Sequence, residues 1–180
     1  MLGTAFLAEF KRATEAKWSE RSIHPGLYGF QFRRGTRWNP GLPDDKITEY
    51  ETDLGLQFPT DLRTFLREMN GTDLPTQNDY GTSGEPPRES VGVYSYPRDL
   101  ELVKRRIEEW RGYRVELAAT LAREDFDLVR QAGLVPIYAH RCVVCEPDLA
   151  RSVVLSIADA SDTIVYGNSL REYLETEFLR

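Results

Sequence analysis

Apolar residues recur along this chain with two periods, and the switch between them marks out its elements. Over residues 4–20, Phe6, Leu7, Phe10, Ala13 and Trp18 fall at loosely helical spacing, which predicts a first helix ending before Pro25-Gly26. In Tyr28-Gly29-Phe30-Gln31-Phe32-Arg33 the aromatics occupy every second position. That alternation predicts a strand with three rings on one face and Gln31 and Arg33 on the other. The chain then turns at Gly35 and reaches Trp38, Pro40 and Pro43.

From Asp44 the period becomes helical again. Ile47, Tyr50 and Leu54 form one stripe, acidic residues crowd the first turns, where the helix dipole favours them, and Gly55 stands where a C-terminal cap belongs. A second helix starts at Pro59-Thr60-Asp61, buries Leu62, Phe65, Leu66 and Met69, and is predicted to stop at Asn70-Gly71. Residues 72–90 are rich in Gly, Pro, Asn, Asp and Ser and read as a long surface loop. A strand is expected over Val91 to Tyr96. Asp99 then opens a long helix with Leu100, Val103, Ile107, Trp110 and Leu117 inward and the pairs Glu101/Arg105 and Lys104/Glu108 outside. A shorter helix is expected from Phe126 to Gln131. Four strands follow, at Leu134 to Tyr138, Arg141 to Cys145, Ser152 to Ile157 and Thr163 to Tyr166. A final helix is capped by Ser169 and carries Leu170, Tyr173, Leu174 and Phe178 on one stripe. Helices grouped early and strands grouped late point to an α+β fold rather than alternating βαβ units.

With 180 residues, 41% of them hydrophobic, the chain fits one domain with a sizeable core. The absence of a long apolar run and of a leader pattern predicts a cytoplasmic protein, and two cysteines fit a reducing compartment. The formal net charge of -6 argues against direct nucleic-acid binding and favours a basic partner. The acid is concentrated in the middle. Residues 39–98 hold eleven Asp/Glu against five Lys/Arg, whereas residues 1–38 hold three against seven.

Candidate chemistry is sparse. In His140-Arg141-Cys142-Val143-Val144-Cys145 the Cys-x-x-Cys spacing suits a metal or redox pair. The two intervening valines favour a strand instead, which would send the two thiols to opposite faces, and the other histidine, His24, is far away in sequence. Carboxylate pairs such as Asp159/Asp162 and Glu146/Asp148 sit in predicted turns, and Arg33, Arg34 and Arg37 read as a solvated strand end. No Gly-x-Ser-x-Gly elbow, Walker loop, Gly-x-Gly-x-x-Gly or His-Glu-x-x-His is present. Neither a catalytic set, a metal site nor a cofactor is expected; an enzyme would require a deep pocket gathering His140, Arg141 and nearby carboxylates.

One segment is more specific. Trp38-Asn39-Pro40-Gly41-Leu42-Pro43, Ile47, Tyr50-Glu51, Leu54-Gly55, Phe58-Pro59-Thr60-Asp61-Leu62, Phe65-Leu66 and Asn70-Gly71 together resemble the opening signature of the SUKH superfamily. Leu134 to Tyr138, Val153 to Ile157 and Ser169 to Phe178 resemble its closing strands and last helix, so the likeness covers about residues 38–178. Phe58 stands where the family more often has Leu, and the N-terminal arm 1–37 and the helix from Asp99 look like additions. The superfamily includes fungal cell-wall synthesis regulators and bacterial immunity proteins. The resemblance implies helices packed on a mixed, largely antiparallel sheet, in a non-enzymatic module that binds a protein partner. That partner would be a toxin, commonly a nuclease; the alternative is an intracellular regulatory or scaffolding role on the same fold. Given the acidic middle third, Glu49 and Asp53 on the first signature helix and Asp73, Asp79 and Glu85 in the following loop are the candidate contact residues.

Overall fold

The structure, a computed structural model, describes residues 2–20, 23–24, 29–79, 88–146 and 151–180. At its centre lies an antiparallel sheet of four strands in the order β6 (Gly133–Tyr138), β7 (Arg141–Cys145), β8 (Val154–Ile157) and β9 (Thr163–Gly167). Alternation along these strands feeds two separate apolar clusters. Val135, Ile137, Val143, Cys145 and Val154 join one; Leu134, Cys142, Val144, Leu155 and Ile157 join the other. A sheet covered on both faces needs apolar residues at successive positions, which explains the unbroken runs Leu-Val-Pro-Ile-Tyr and Cys-Val-Val-Cys.

Helices supply the two coats. The first is built by α1 (Thr4–Glu20), α2 (Asp44–Leu54), α3 (Thr60–Glu68) and α6 (Leu170–Leu174), the last continuing into a π-helical turn, Glu175–Leu179. Phe178 in that turn is its aromatic hub, with ring centroids of Phe10, Phe32 and Tyr138 at 5.6, 5.7 and 5.6 Å. The second coat comes from α4 (Leu100–Gly112) and α5 (Arg114–Leu121) through Trp110, Leu117 and Leu121. Both edges of the sheet are occupied, as an exposed edge would template further pairing. Beside β6, Tyr94 N–H donates to Ile137 O (3.0 Å). On β9, Val165 N–H donates to Glu124 Oε2 (3.1 Å). Pro136 has no N–H to give and accordingly sits in an edge strand.

Two small antiparallel sheets complete the fold. β2 (Trp38–Pro40) pairs with β3 (Met69–Thr72), and β1 (Gly29–Gln31), β4 (Thr76–Asp79) and β5 (Arg88–Ser90) form the other. The α+β class and antiparallel character agree with the sequence reading, as do α1, the Gly55 cap at φ 63° and the Ser169 cap, whose side chain accepts from Glu172 N–H.

Several local expectations are corrected. Residues 72–90 are not wholly loop, since β4 and β5 lie within them. The strand expected over Val91 to Tyr96 reduces to a single bridge, Val93 to Tyr138. The long helix from Asp99 breaks at Tyr113 into α4 and α5, and its surface pairs form at i, i+3 (Lys104–Glu101, Arg106–Glu109, Arg111–Glu108) rather than i, i+4. In place of a helix over Phe126 to Gln131 there is a 3-10 turn at Ala122–Glu124, after which Asp125 adopts φ 57° and ends helical geometry. On α1 it is Thr14, not Ala13, that faces inward: its Oγ1 donates to Phe10 O and accepts from Trp38 Nε1–H (2.8 Å). A buried hydroxyl with both partners carries no desolvation penalty.

Most informative is Asn70-Gly71, which does not end a helix. α3 stops at Glu68 and the chain passes straight into β3. Asn70 is buried, and its side chain brackets the backbone of Tyr96, with Nδ2–H donating to Tyr96 O (2.6 Å) and Oδ1 accepting from Tyr96 N–H (2.9 Å). Gly71 has φ 73°, and a Cβ there would lie 2.7 Å from the carbonyl oxygens of Val93 and Tyr94. Only glycine allows that approach.

Candidate partner-binding surface

The signature residues divide by role. Those that build the frame point inward or join backbones. Glu51 accepts Phe58 N–H (2.8 Å) with one carboxylate oxygen and pairs with Arg63 through the other, tying α2 to α3. Gly41 lies against the α3 backbone, where a Cβ would meet Arg67 O at 1.8 Å, and Leu42 N–H donates to Leu66 O (2.8 Å). Asp61, read as part of a helix start, makes no cap; its carboxylate instead accepts Leu2 N–H (2.8 Å) and Ser152 Oγ–H (3.2 Å).

The opposite face of α2 is open to solvent and acidic, because Ile47 and Tyr50 take the inward stripe and leave Asp44, Asp45, Glu49 and Asp53 outside. Glu49 and Asp53, one helical turn apart, are brought together by Tyr96, whose Oη lies 2.8 Å from both Glu49 Oε1 and Asp53 Oδ2. A phenol has one proton and donates to one carboxylate at a time, so the two acids share a single donor. Lys46 donates to the other oxygen of Glu49 (2.7 Å), and Lys46 first, then Tyr96, holds the Glu49 carboxyl below its usual range. Burial, followed by Asp53 and Glu49, pushes the Tyr96 phenol up and keeps it protonated. Tyr96 in turn stacks on Tyr50 at 4.5 Å, so the acidic pair rests on a rigid aromatic base.

The structure places the other candidates elsewhere. Asp73 is exposed beside β2, accepts Arg37 N–H (2.7 Å), and lines a cavity of about 380 Å³ with Glu89, Arg98 and Asp99. Asp79 is the last residue of β4, opposite Gly29; its side chain and the whole of Glu85 lie outside the described residues. Sequence reasoning missed Tyr96, Arg98 and Asp99. An aromatic ending a presumed strand gave no sign that its hydroxyl would reach α2, and Asp99 does stand at the N-terminal cap position of α4, but its carboxylate accepts Ser95 N–H (2.8 Å) and pairs with Arg98 rather than capping the helix.

The residues considered for catalysis do not converge. Cys142 and Cys145 are free, buried and in different apolar clusters on opposite faces of the sheet, and burial pushes both thiols up, Cys145 to about 12. His140 borders a cavity of about 260 Å³ with Phe30, Tyr94 and Arg106 and, among the described residues, without a carboxylate, while Arg141 contacts the His140 imidazole and also reaches Tyr166 (4.6 Å) and Glu177 (3.6 Å) outside that cavity. Burial and then Arg141 push His140 down to about 4. Asp159 accepts Ser161 and Asp162 N–H groups within its own turn, Glu146 pairs with Arg151, and Asp148 is outside the described residues. Arg33 pairs with Glu89 and Arg34 donates to Ser19 O, so these two are held separately. No group of three or more metal-ligating side chains exists among the described residues. Nor, among them, is any helix long and apolar enough to cross a membrane.

An antiparallel sheet coated on both faces, with an acidic helix displayed from a tightly joined helix pair, defines an α+β module. Residues 41–176 match the SMI1 / KNR4 family (SUKH-1), and the chain belongs to that family. None of the curated proteins matches it.

Proposed function

We propose that this protein is a cytoplasmic, single-domain immunity protein that binds a toxin domain of basic surface, such as a nuclease, and blocks it without catalysing a reaction. The observation that carries this reading is the outer face of α2, where Glu49 and Asp53 are held side by side by one phenol and remain open to solvent. Fixed, exposed carboxylates on a rigid helix attract a basic partner during encounter and disfavour acidic ones. Family membership supports the same role, since the superfamily includes immunity proteins.

The test is co-expression with any toxin encoded by a neighbouring gene, followed by association kinetics. Rescue of growth and a tight complex are expected, and Glu49→Lys with Asp53→Lys should lower the association rate about tenfold or more at low salt. An unchanged rate removes α2 from the contact surface. Absence of any neighbouring toxin, together with no rescue, would replace the immunity reading with a regulatory or scaffolding one.

A further inference from the structure

Although the chain is acidic, one of its clefts gathers three arginines. It opens where the start of the α2–α3 connection, the break between α4 and α5, and the start of β6 meet, and its volume is about 260 Å³. Its floor is apolar, from Leu56, Ile107 and Leu134, and its walls carry three guanidinium groups, Arg111, Arg114 and Arg130. Among the described residues, no carboxylate lines it.

The three arginines are differently held. Arg114 is fixed, because its Nη2 donates to both Val129 O and Ala132 O (2.8 Å each), which orients the guanidinium and leaves its other N–H groups unspent. Among the described residues Arg111 pairs with Glu108 alone, an exposed contact of the kind that contributes little and exchanges easily. Arg130 is exposed and has no hydrogen bond or ion pair among the described residues. Burial and the neighbouring Arg111 push the Arg114 guanidinium down, as expected of a cation short of counter-charge, though an arginine stays ionised at neutral pH.

We infer that the Arg111–Arg114–Arg130 cleft is a binding site for a small organic anion, a phosphate or carboxylate group carried on a compact body that rests on Leu56, Ile107 and Leu134. Guanidinium forks match the oxygens of either group with paired, charge-assisted hydrogen bonds. The volume lies at or below the small end of ligand pockets, so a compact anion fits and a dinucleotide does not. The site does not depend on the partner-binding face of α2.

The experiment is an NMR titration of the whole chain with inorganic phosphate and, separately, with citrate, at ionic strength matched with chloride. Saturable shifts of the Gly133 and Leu134 amides are expected with one or both, and which anion binds decides between phosphate and carboxylate. Arg130→Gln, at a side chain that supports no other contact, should weaken binding about ten- to a hundredfold, and adding Arg111→Gln should abolish it. Failure of both anions to give saturable shifts would overturn the inference. Shifts that persist unchanged in Arg130→Gln and in the double variant would do so equally.

Discussion

Replacing Asn70 by alanine removes one small side chain and disconnects two buried backbone groups. In the native chain the Asn70 amide supplies both the acceptor for Tyr96 N–H and the donor for Tyr96 O, at 2.9 and 2.6 Å, in surroundings that exclude solvent. Alanine offers neither, and the resulting gap is walled by backbone. Each buried polar group left without a partner costs about 1–3 kcal/mol, so with two such groups Asn70→Ala should destabilise the fold by about 2–6 kcal/mol. Asn70→Asp separates the two halves of the interaction, since the acceptor survives while the donor is replaced by a buried charge; it should be at least as damaging as alanine. Urea unfolding followed by tryptophan fluorescence is the assay, and the midpoint should fall with the slope unchanged. A loss below about 1 kcal/mol for Asn70→Ala would show that Tyr96 finds other partners and would refute the bracketing role.

Leu66→Ala should cost about 2–5 kcal/mol, because Leu66 is 5% exposed within the core cluster of the first coat; a loss under 1 kcal/mol in the same assay would contradict this. His140 gives a pH-dependent prediction. Its folded pKa of about 4 lies below the unfolded value near 6.5, so the unfolded chain takes up the extra proton between these limits. The contribution of neutral His140 is therefore complete above about pH 6.5 and is lost as pH falls towards 4. Arg141, which donates to the imidazole, and Arg106 disfavour the cation, and Asp162 partly offsets them. His140→Gln should lose about 1–2 kcal/mol less than the wild type between pH 7 and 5, once solvent screening is allowed for. Equal losses in both proteins would show that His140 does not govern that limb.

Much of this architecture was determined by local sequence. The apolar stripes of α2, α3 and α6, the Gly55 and Ser169 caps and the alternation in β6 to β9 are properties of neighbouring residues, and neighbouring residues suffice to encode them. The opposite placement of Cys142 and Cys145 followed from strand geometry alone. Elsewhere distant contacts decided the outcome. Asn70-Gly71 carries the local signal of a helix stop, yet distant backbone decides otherwise: β2 pairs with this segment as a strand, and residues 93–96 close on Asn70 and Gly71. Asp61 and Thr14 are polar residues whose partners lie across the fold, so their roles had no local trace. The same holds for the surface. The acidity of α2 can be read from its composition, but the joining of Glu49 to Asp53 through Tyr96, and the convergence of Arg111, Arg114 and Arg130 on one cleft, depend on tertiary packing, which alone brings residues from separate helices and strands within hydrogen-bonding reach.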